Sequence, residues 1–192
     1  MTNPIKSLPT EIQTPRLELR QLTATMTNAQ MLFDAVRDEN PDDFYFNPIG
    51  IENPVPADTD EMLRRMEFTE RYAGDNGAWY YVFENRQPIG FRRFHFFDDP
   101  RRTFQMSEVW FIRRAWGMGF ARETYDALEK IAFETLGANR ITRQCSVDNI
   151  RSANSIRASG FHLDGVARSG GLYQDGAVYD NMMWSKLKSE YK

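Results

Sequence analysis

Between Ala78 and Phe97 the chain reads AWYYVFENRQPIGFRRFHFF, two aromatic-rich runs around a polar triplet. Runs of this length flanking a short turn predict a hairpin, with strands over Ala78–Glu84 and Pro88–Phe97 and a turn at Asn85–Gln87. A further turn, DDPRR, leads into TFQMSEVWFI, which predicts a third long antiparallel strand. Nearer the N-terminus, Leu17 and Leu19 share one side of a short strand over Arg16–Arg20. The period then becomes helical in TATMTNAQMLFDAVRDE, where Met31, Leu32, Ala35 and Val36 form an apolar stripe and Thr25 or Thr27 supplies the cap. A second helix is predicted over DTDEMLRRMEFTERYAG, started by Asp58 or Thr59 and stopped by Gly74. Between the two helices lie four prolines (Pro41, Pro48, Pro54, Pro56) and the aromatics Phe44, Tyr45 and Phe46. Aromatics in a long loop either plug a gap or line a site.

The second half mixes the periods. A helix from about Gly117 to Leu136 puts Ala121, Thr124, Leu128, Ile131, Ala132 and Thr135 on one face, with Gly137 as its stop. NRITRQCSV is a strand, and a strand–helix–strand crossover of this length predicts a parallel or splayed pair. NIRSANSIRASG is a short helix ended by Gly160, and FHLDGVARS and VYDNMMWSKL are final strands around GGLYQDG. The order predicts one α/β domain over residues 1–192, antiparallel first and mixed later, with 1–13 as a flexible arm.

Composition narrows the function classes. The 192 residues suffice for one well-filled domain. A formal charge of −3 argues against a nucleic-acid binder, which usually carries a basic stripe. One cysteine, Cys145, excludes an internal disulfide and reads as core filling, while His95 and His162 have no local ligand partners; no metal is expected. No apolar run reaches the ~20 residues of a membrane helix, and the N-terminus lacks a signal-peptide core. A cytoplasmic setting is the expectation.

The junction at SEVWFIRRAWGMGFAR carries the sharpest signal. The first N–H groups of a helix lack intrahelical partners and carry the positive end of its dipole. Glycines such as Gly117 and Gly119 let an anion approach them, and Arg113 and Arg114 lie close by in sequence. The residues after Gly119 are Phe120 and Ala121, so a Walker loop with its Lys-Ser/Thr pair is excluded. Position 122 is arginine, which excludes the third glycine of a dinucleotide fingerprint.

The remaining pattern, Arg114-x-x-Gly117-x-Gly119, resembles the acyl-CoA pyrophosphate loop of the GNAT acetyltransferase superfamily. Three further stretches are similar to it in order: Thr14-Pro15-Arg16-Leu17-x-Leu19-Arg20, Asn149-x-x-Ser152 with Gly160-Phe161, and Tyr173-x-Asp175-Gly176-x-x-x-Asp180. The first and last of these look like the RimJ/RimL branch, whose members include enzymes that acetylate ribosomal-protein α-amines. The resemblance implies a GNAT-type mixed sheet, centrally splayed and flanked by helices. It implies acetyl-CoA as co-substrate and a primary amine as acceptor, either a protein N-terminus or a small molecule such as a polyamine or aminoglycoside. A binding module that keeps the loop but has lost turnover is the other class. Monomer and homodimer both remain open.

By the same resemblance, Val109, Trp110, Phe111 and Ile112 pair with the pantetheine arm, and an N–H near Phe111 or Ile112 polarises the thioester carbonyl. Arg114, Gly117, Met118, Gly119, Phe120 and Ala121 surround the pyrophosphate. Asn149 and Ser152 lie near the cofactor arm or the leaving thiolate. Glu108 is the candidate base: in a regular strand it shares a face with Met106, Trp110 and Ile112, and apolar neighbours raise a carboxyl pKa. The alternative is that Glu108 pairs with Arg92 or Arg93. Many superfamily members have a tyrosine seven residues after the asparagine; here Ile156 stands there, leaving Ser152, Ser155, Tyr173 or water to protonate the thiolate. The second helix, the aromatic loop and the last strands are expected to form the acceptor side, with Asp42, Asp43, Glu52, Asp58 and Asp60 as an acidic rim or as ordinary solubilising charge.

Overall fold

The computed structural model describes residues 5, 8–44, 55–73, 76–97, 100–173 and 175–192. The strands are β1 (Glu11–Gln13), β2 (Glu18–Arg20), β3 (Gly77–Glu84), β4 (Gln87–Phe97), β5 (Thr103–Phe111), β6 (Arg140–Ser146), β7 (His162–Leu172) and β8 (Val178–Leu187). The helices are α1 (Met26–Val36), α2 (Thr59–Ala73), α3 (Phe120–Lys130) and α4 (Ile150–Ala158). All eight strands form one sheet in the order β1-β2-β3-β4-β5-β6-β8-β7. This is the predicted α/β architecture, antiparallel from β1 to β5 and mixed thereafter. Part of the stretch expected to be a flexible arm is ordered: Glu11–Gln13 pairs with β2, and Ile5 and Leu8 are buried. Tyr45, Phe46, Glu52 and Gly74 lie outside the described residues.

Local chemistry explains the element ends. Thr25 caps α1, its Oγ1 accepting the Asn28 N–H at 3.3 Å. Asp58 serves α2 in the same way, accepting from Glu61 N–H at 2.7 Å. Asn85 and Arg86 both have positive φ, so the β3–β4 connection is a tight two-residue turn and Gln87 already pairs with Glu84. Past Lys130, α3 widens into a π turn over Ile131–Thr135, closed by Leu136 N–H to Ile131 C=O at 2.9 Å. The extra residue rotates the face that a regular helix would bury. Thr135 is exposed, and Phe133 and Leu136 fill the core instead.

The sheet opens at its centre. β5 and β6 run parallel and pair only at Thr103↔Arg140, Phe104↔Ile141 and Gln105↔Thr142, after which they separate. β6 regains partners on its other side through seven pairs with β8. A bulge at Ser107 shifts the β4–β5 register, Phe94 facing Met106 and Arg93 facing Glu108. Because of it, Met106 and Glu108 lie on opposite faces of the sheet, which corrects the regular-strand expectation. Met106 joins Phe94, Phe96 and Phe104, whereas Glu108 joins Arg93, Phe91 and Trp110.

Candidate functional site

The opened strands leave backbone groups without a ladder. Ile112 N–H donates to Ile89 C=O at 2.9 Å, so the antiparallel alternation makes Trp110 bond to β4 and turns Val109 and Phe111 away from it, into the opening. The Phe111 carbonyl bears this out by accepting the Trp116 indole N–H at 2.8 Å. Ile112 was an expected donor to a thioester; its amide is engaged and its side chain is buried. Val109 and Phe111 present the N–H groups that face the cleft.

Next comes the turn. Arg113–Ala115 makes one 3₁₀ turn, and Gly117 and Gly119 then take φ of +73° and +79°. Both conformations are in the left-handed region that glycine alone enters without strain. Gly119 caps α3 with no side-chain hydrogen bond, so the first amides of the helix stay open. A cleft of about 410 Å³ runs from Val109–Phe111 past Gly117, Gly119, Phe120 and Ala121 to Asn149, Ser152 and Ser155.

The N-terminal motif braces this turn. Arg16 donates to the Met118 carbonyl at 3.0 Å and to Glu123 at 2.7 Å, with its guanidinium over the Phe120 ring. Thr14 Oγ1 and Arg16 N–H also donate to Glu123, at 2.5 and 2.8 Å. Met118 therefore contributes its carbonyl to the brace, and its side chain points out rather than into the cleft wall. Arg114 also lies elsewhere, paired with Glu84 at 3.0 Å. Arg113 pairs with Asp43 at 3.3 Å. Cations at the cleft wall come instead from Arg122, Arg143 and Arg151, the last on α4 and stacked 3.7 Å from the Trp116 ring, which Arg113 also meets at 4.3 Å. The Arg151 guanidinium pKa is lowered by burial and by Arg113. The signal for Arg151 was its place two residues after Asn149, at the helix start that faces the turn.

A second chamber adjoins the first across Val109–Phe111. Glu108, Trp110, Phe44 and Asp43 form one side and Gln144, Cys145, Tyr179 and Asn181 the other, with Asn149 and Ser152 shared between the chambers. Phe44 both plugs and lines, meeting Trp110 edge-on at 6.3 Å. The Glu108 side chain is 9% exposed and 3.2 Å from Arg93. It lines this chamber and it pairs with Arg93, one of the two partners expected for it. Burial raises its pKa to about 7 even though Arg93 pulls the other way.

Asn149 caps α4, its Oδ1 accepting Ser152 N–H at 3.0 Å. Tyr173 does not reach the cleft. Its hydroxyl is shared with Ser146 Oγ and donates to Asp148 at 3.2 Å, which ties the β7–β8 turn to the end of β6. A phenol that lines the second chamber is Tyr179, which sequence reading missed; its ring packs 4.5 Å from Tyr173, and its hydroxyl makes no hydrogen bond among the described residues. Burial raises its pKa, so it keeps its proton.

The arrangement presents strand-edge donors, an anion-accepting helix start and a buried carboxyl within one continuous opening. Solved structures share the fold. A GCN5-related N-acetyltransferase from Brucella melitensis matches with a TM-score of 0.82 at 19% identity, over 95% of this chain and 82% of that one. The ribosomal-protein-S5-alanine acetyltransferase from Vibrio fischeri matches at 0.76 and 16% identity, over 96% and 100%. A GNAT-family acetyltransferase from Bacillus anthracis matches at 0.70 and 18%, over 94% and 99%. No curated protein matches in sequence. The acetyltransferase (GNAT) domain family matches residues 16–162, a span that holds the braced turn, the opened strands and Glu108, and the chain belongs to that family.

Proposed function

We propose that this protein transfers the acetyl group of acetyl-CoA to a primary amine, and that its acceptor is a protein N-terminal α-amine. The observation that carries this is Glu108, a buried carboxyl with a pKa of about 7 in the same opening as the unladdered Val109 and Phe111 amides. The pyrophosphate sits at the amides of Gly117–Ala121, and the pantetheine arm runs along Val109 and Phe111. Phe111 or Val109 N–H donates to the thioester oxygen as charge builds there. Glu108 takes the proton of the incoming ammonium, directly or through a water. The neutral amine attacks, the C–S bond breaks, Tyr179 supplies the proton to the leaving thiolate, and the second proton lost by the amide nitrogen returns to the tyrosinate through water.

The match of acidities supports an α-amine acceptor. An α-amine has a pKa near 8 and a lysine amine near 10.4. Proton transfer to a base at about 7 is roughly tenfold uphill from the first and over a thousandfold from the second. The fold likeness to an S5-alanine acetyltransferase is in keeping with an α-amine. A thiol-release assay with acetyl-CoA against N-terminal peptides, ε-amine peptides, polyamines and aminoglycosides tests the reading. Peptide α-amines should give the highest kcat/KM. Release only with polyamines or aminoglycosides would reassign the acceptor, and none with any amine would leave a binding module.

A further inference from the structure

Two arginines are buried beneath α3, and one of them, Arg143, lines the cleft. Arg92 on β4 and Arg143 on β6 are 2% and 3% exposed and hold the Tyr125 ring between them, at 3.8 and 3.5 Å. Arg92 is satisfied by Thr124 Oγ1 at 2.9 Å and by the Ala121 carbonyl at 2.6 Å. Arg143 donates from Nη2 to the Tyr125 hydroxyl, while its Nη1 is buried with no hydrogen-bond partner among the described residues. Neither makes an ion pair among the described residues. The carboxylate that Arg143 senses, Glu129, is bonded to Lys186 at 2.8 Å.

Buried charge without a counter-charge is costly. The cost shows in the arginine itself, whose pKa burial lowers to about 10. It shows too in Tyr125, where burial pushes the phenol up and the two guanidiniums outweigh it and bring it down. Such a pair is explained if an anion completes it. Arg143 and Tyr125 are part of the wall of the cofactor cleft, so that anion would arrive with the cofactor.

The position says which part of the cofactor carries it. The pyrophosphate belongs at the start of α3, and Tyr125 lies five residues past Phe120, about 7.5 Å further along the helix. Arg143 is the first residue of β6 beyond the last β5–β6 pair, Gln105↔Thr142, and so stands at the closed end of the opening. A thioester held at Val109 or Phe111 directs its acyl tail toward that end. Resting on the acyl-CoA reading above, we infer that the cleft also takes CoA thioesters of short dicarboxylic acids, malonyl or succinyl, with the distal carboxylate on Arg143 Nη1. The transfer balances as for acetyl. The amine nitrogen bonds to the thioester carbon and the C–S bond breaks. Of the two protons the ammonium nitrogen loses, one goes to Glu108 and the other replaces the one Tyr179 gives to the thiolate, and the distal carboxylate is unchanged.

The test is binding first and turnover second. Titration calorimetry on the full chain would compare CoA, acetyl-, butyryl-, malonyl- and succinyl-CoA, butyryl serving as the neutral match for succinyl. A charge-assisted hydrogen bond in a buried setting predicts about tenfold or more tighter binding of succinyl- than butyryl-CoA. Arg143→Met should erase that ratio, whatever it does to the affinity for CoA thioesters in common; Tyr125→Phe, a milder change, should reduce the ratio partly. Equal affinities for succinyl- and butyryl-CoA in the unaltered protein would overturn the inference without needing any variant to fold. A succinyl preference that survives Arg143→Met in a folded variant would overturn it as well. Failure of the transferase reading looks different: CoA binds without turnover of any thioester, and the succinyl-to-butyryl binding ratio still decides the carboxylate site.

Discussion

At the level of single residues, Glu108 carries the sharpest consequence. Its carboxylate is the active form of a base, so kcat/KM should rise with pH through about 7 and level off above it. Glu108→Gln should remove that rise and lower kcat by about a hundredfold or more, with CoA affinity retained. Arg93 holds the carboxylate down, so Arg93→Met should move the rise to higher pH. A pH–rate profile of the three proteins checks both, and a Glu108→Gln profile that still rises near 7 removes the carboxyl from the mechanism. The sequence singled out Glu108 by period-two alternation, yet the bulge at Ser107 moved Met106 to the other face. A bulge leaves no residue signature of its own here. Arg92 and Arg143 stayed hidden for another reason: charged residues in strand patterns read as exposed, and only the packing against Tyr125 shows them buried.

Among elements, the strand–turn–helix junction was legible because its requirement is a backbone one. Two positive φ values at Gly117 and Gly119 are written directly in residue type. The charges around it were not, because proximity in sequence says nothing of where a long side chain ends. Arg114 reaches back to Glu84, and cleft-wall cations such as Arg151 come from other elements. The N-terminal motif gains its meaning the same way, as a brace that ties β2's entry to Met118 and Glu123. Arg16→Ala should therefore loosen the turn and weaken CoA binding. Arg16 is half exposed, so the loss should be near fivefold, the scale of a screened contact of about 1 kcal/mol. Glu123→Ala removes the other end of the brace and should give a similar loss, with the double variant little worse than either alone. Calorimetric CoA affinities for the three variants measure this, and fully additive losses would mean that the two residues act separately.

For the whole molecule, the order of elements fixed the crossover between β5 and β6 and so the prospect of a splay, but not its depth. Depth depends on where pairing stops, here after Gln105↔Thr142, while β6 keeps its β8 partners along its whole length. The same topology hid Tyr179, since the cleft-facing phenol is chosen by the β7–β8 register and its shift between Ala167 and Gly171. An opened sheet has a direct dynamic signature. Trp110 and Ile112 amides are bonded to β4, whereas Val109 and Phe111 amides face the opening. Residue-resolved amide exchange on the free protein should thus alternate along β5, slow at Trp110 and Ile112 and fast at Val109 and Phe111. Acetyl-CoA or CoA should slow the fast pair, because the pantetheine arm supplies the acceptors that β6 does not, and should change the slow pair little. If all four amides are already protected without ligand, β5 has a partner on both sides and the cleft is closed in solution. If ligand slows only the amides of Gly117–Ala121, the cofactor is held by its phosphates alone and its thioester does not lie along β5.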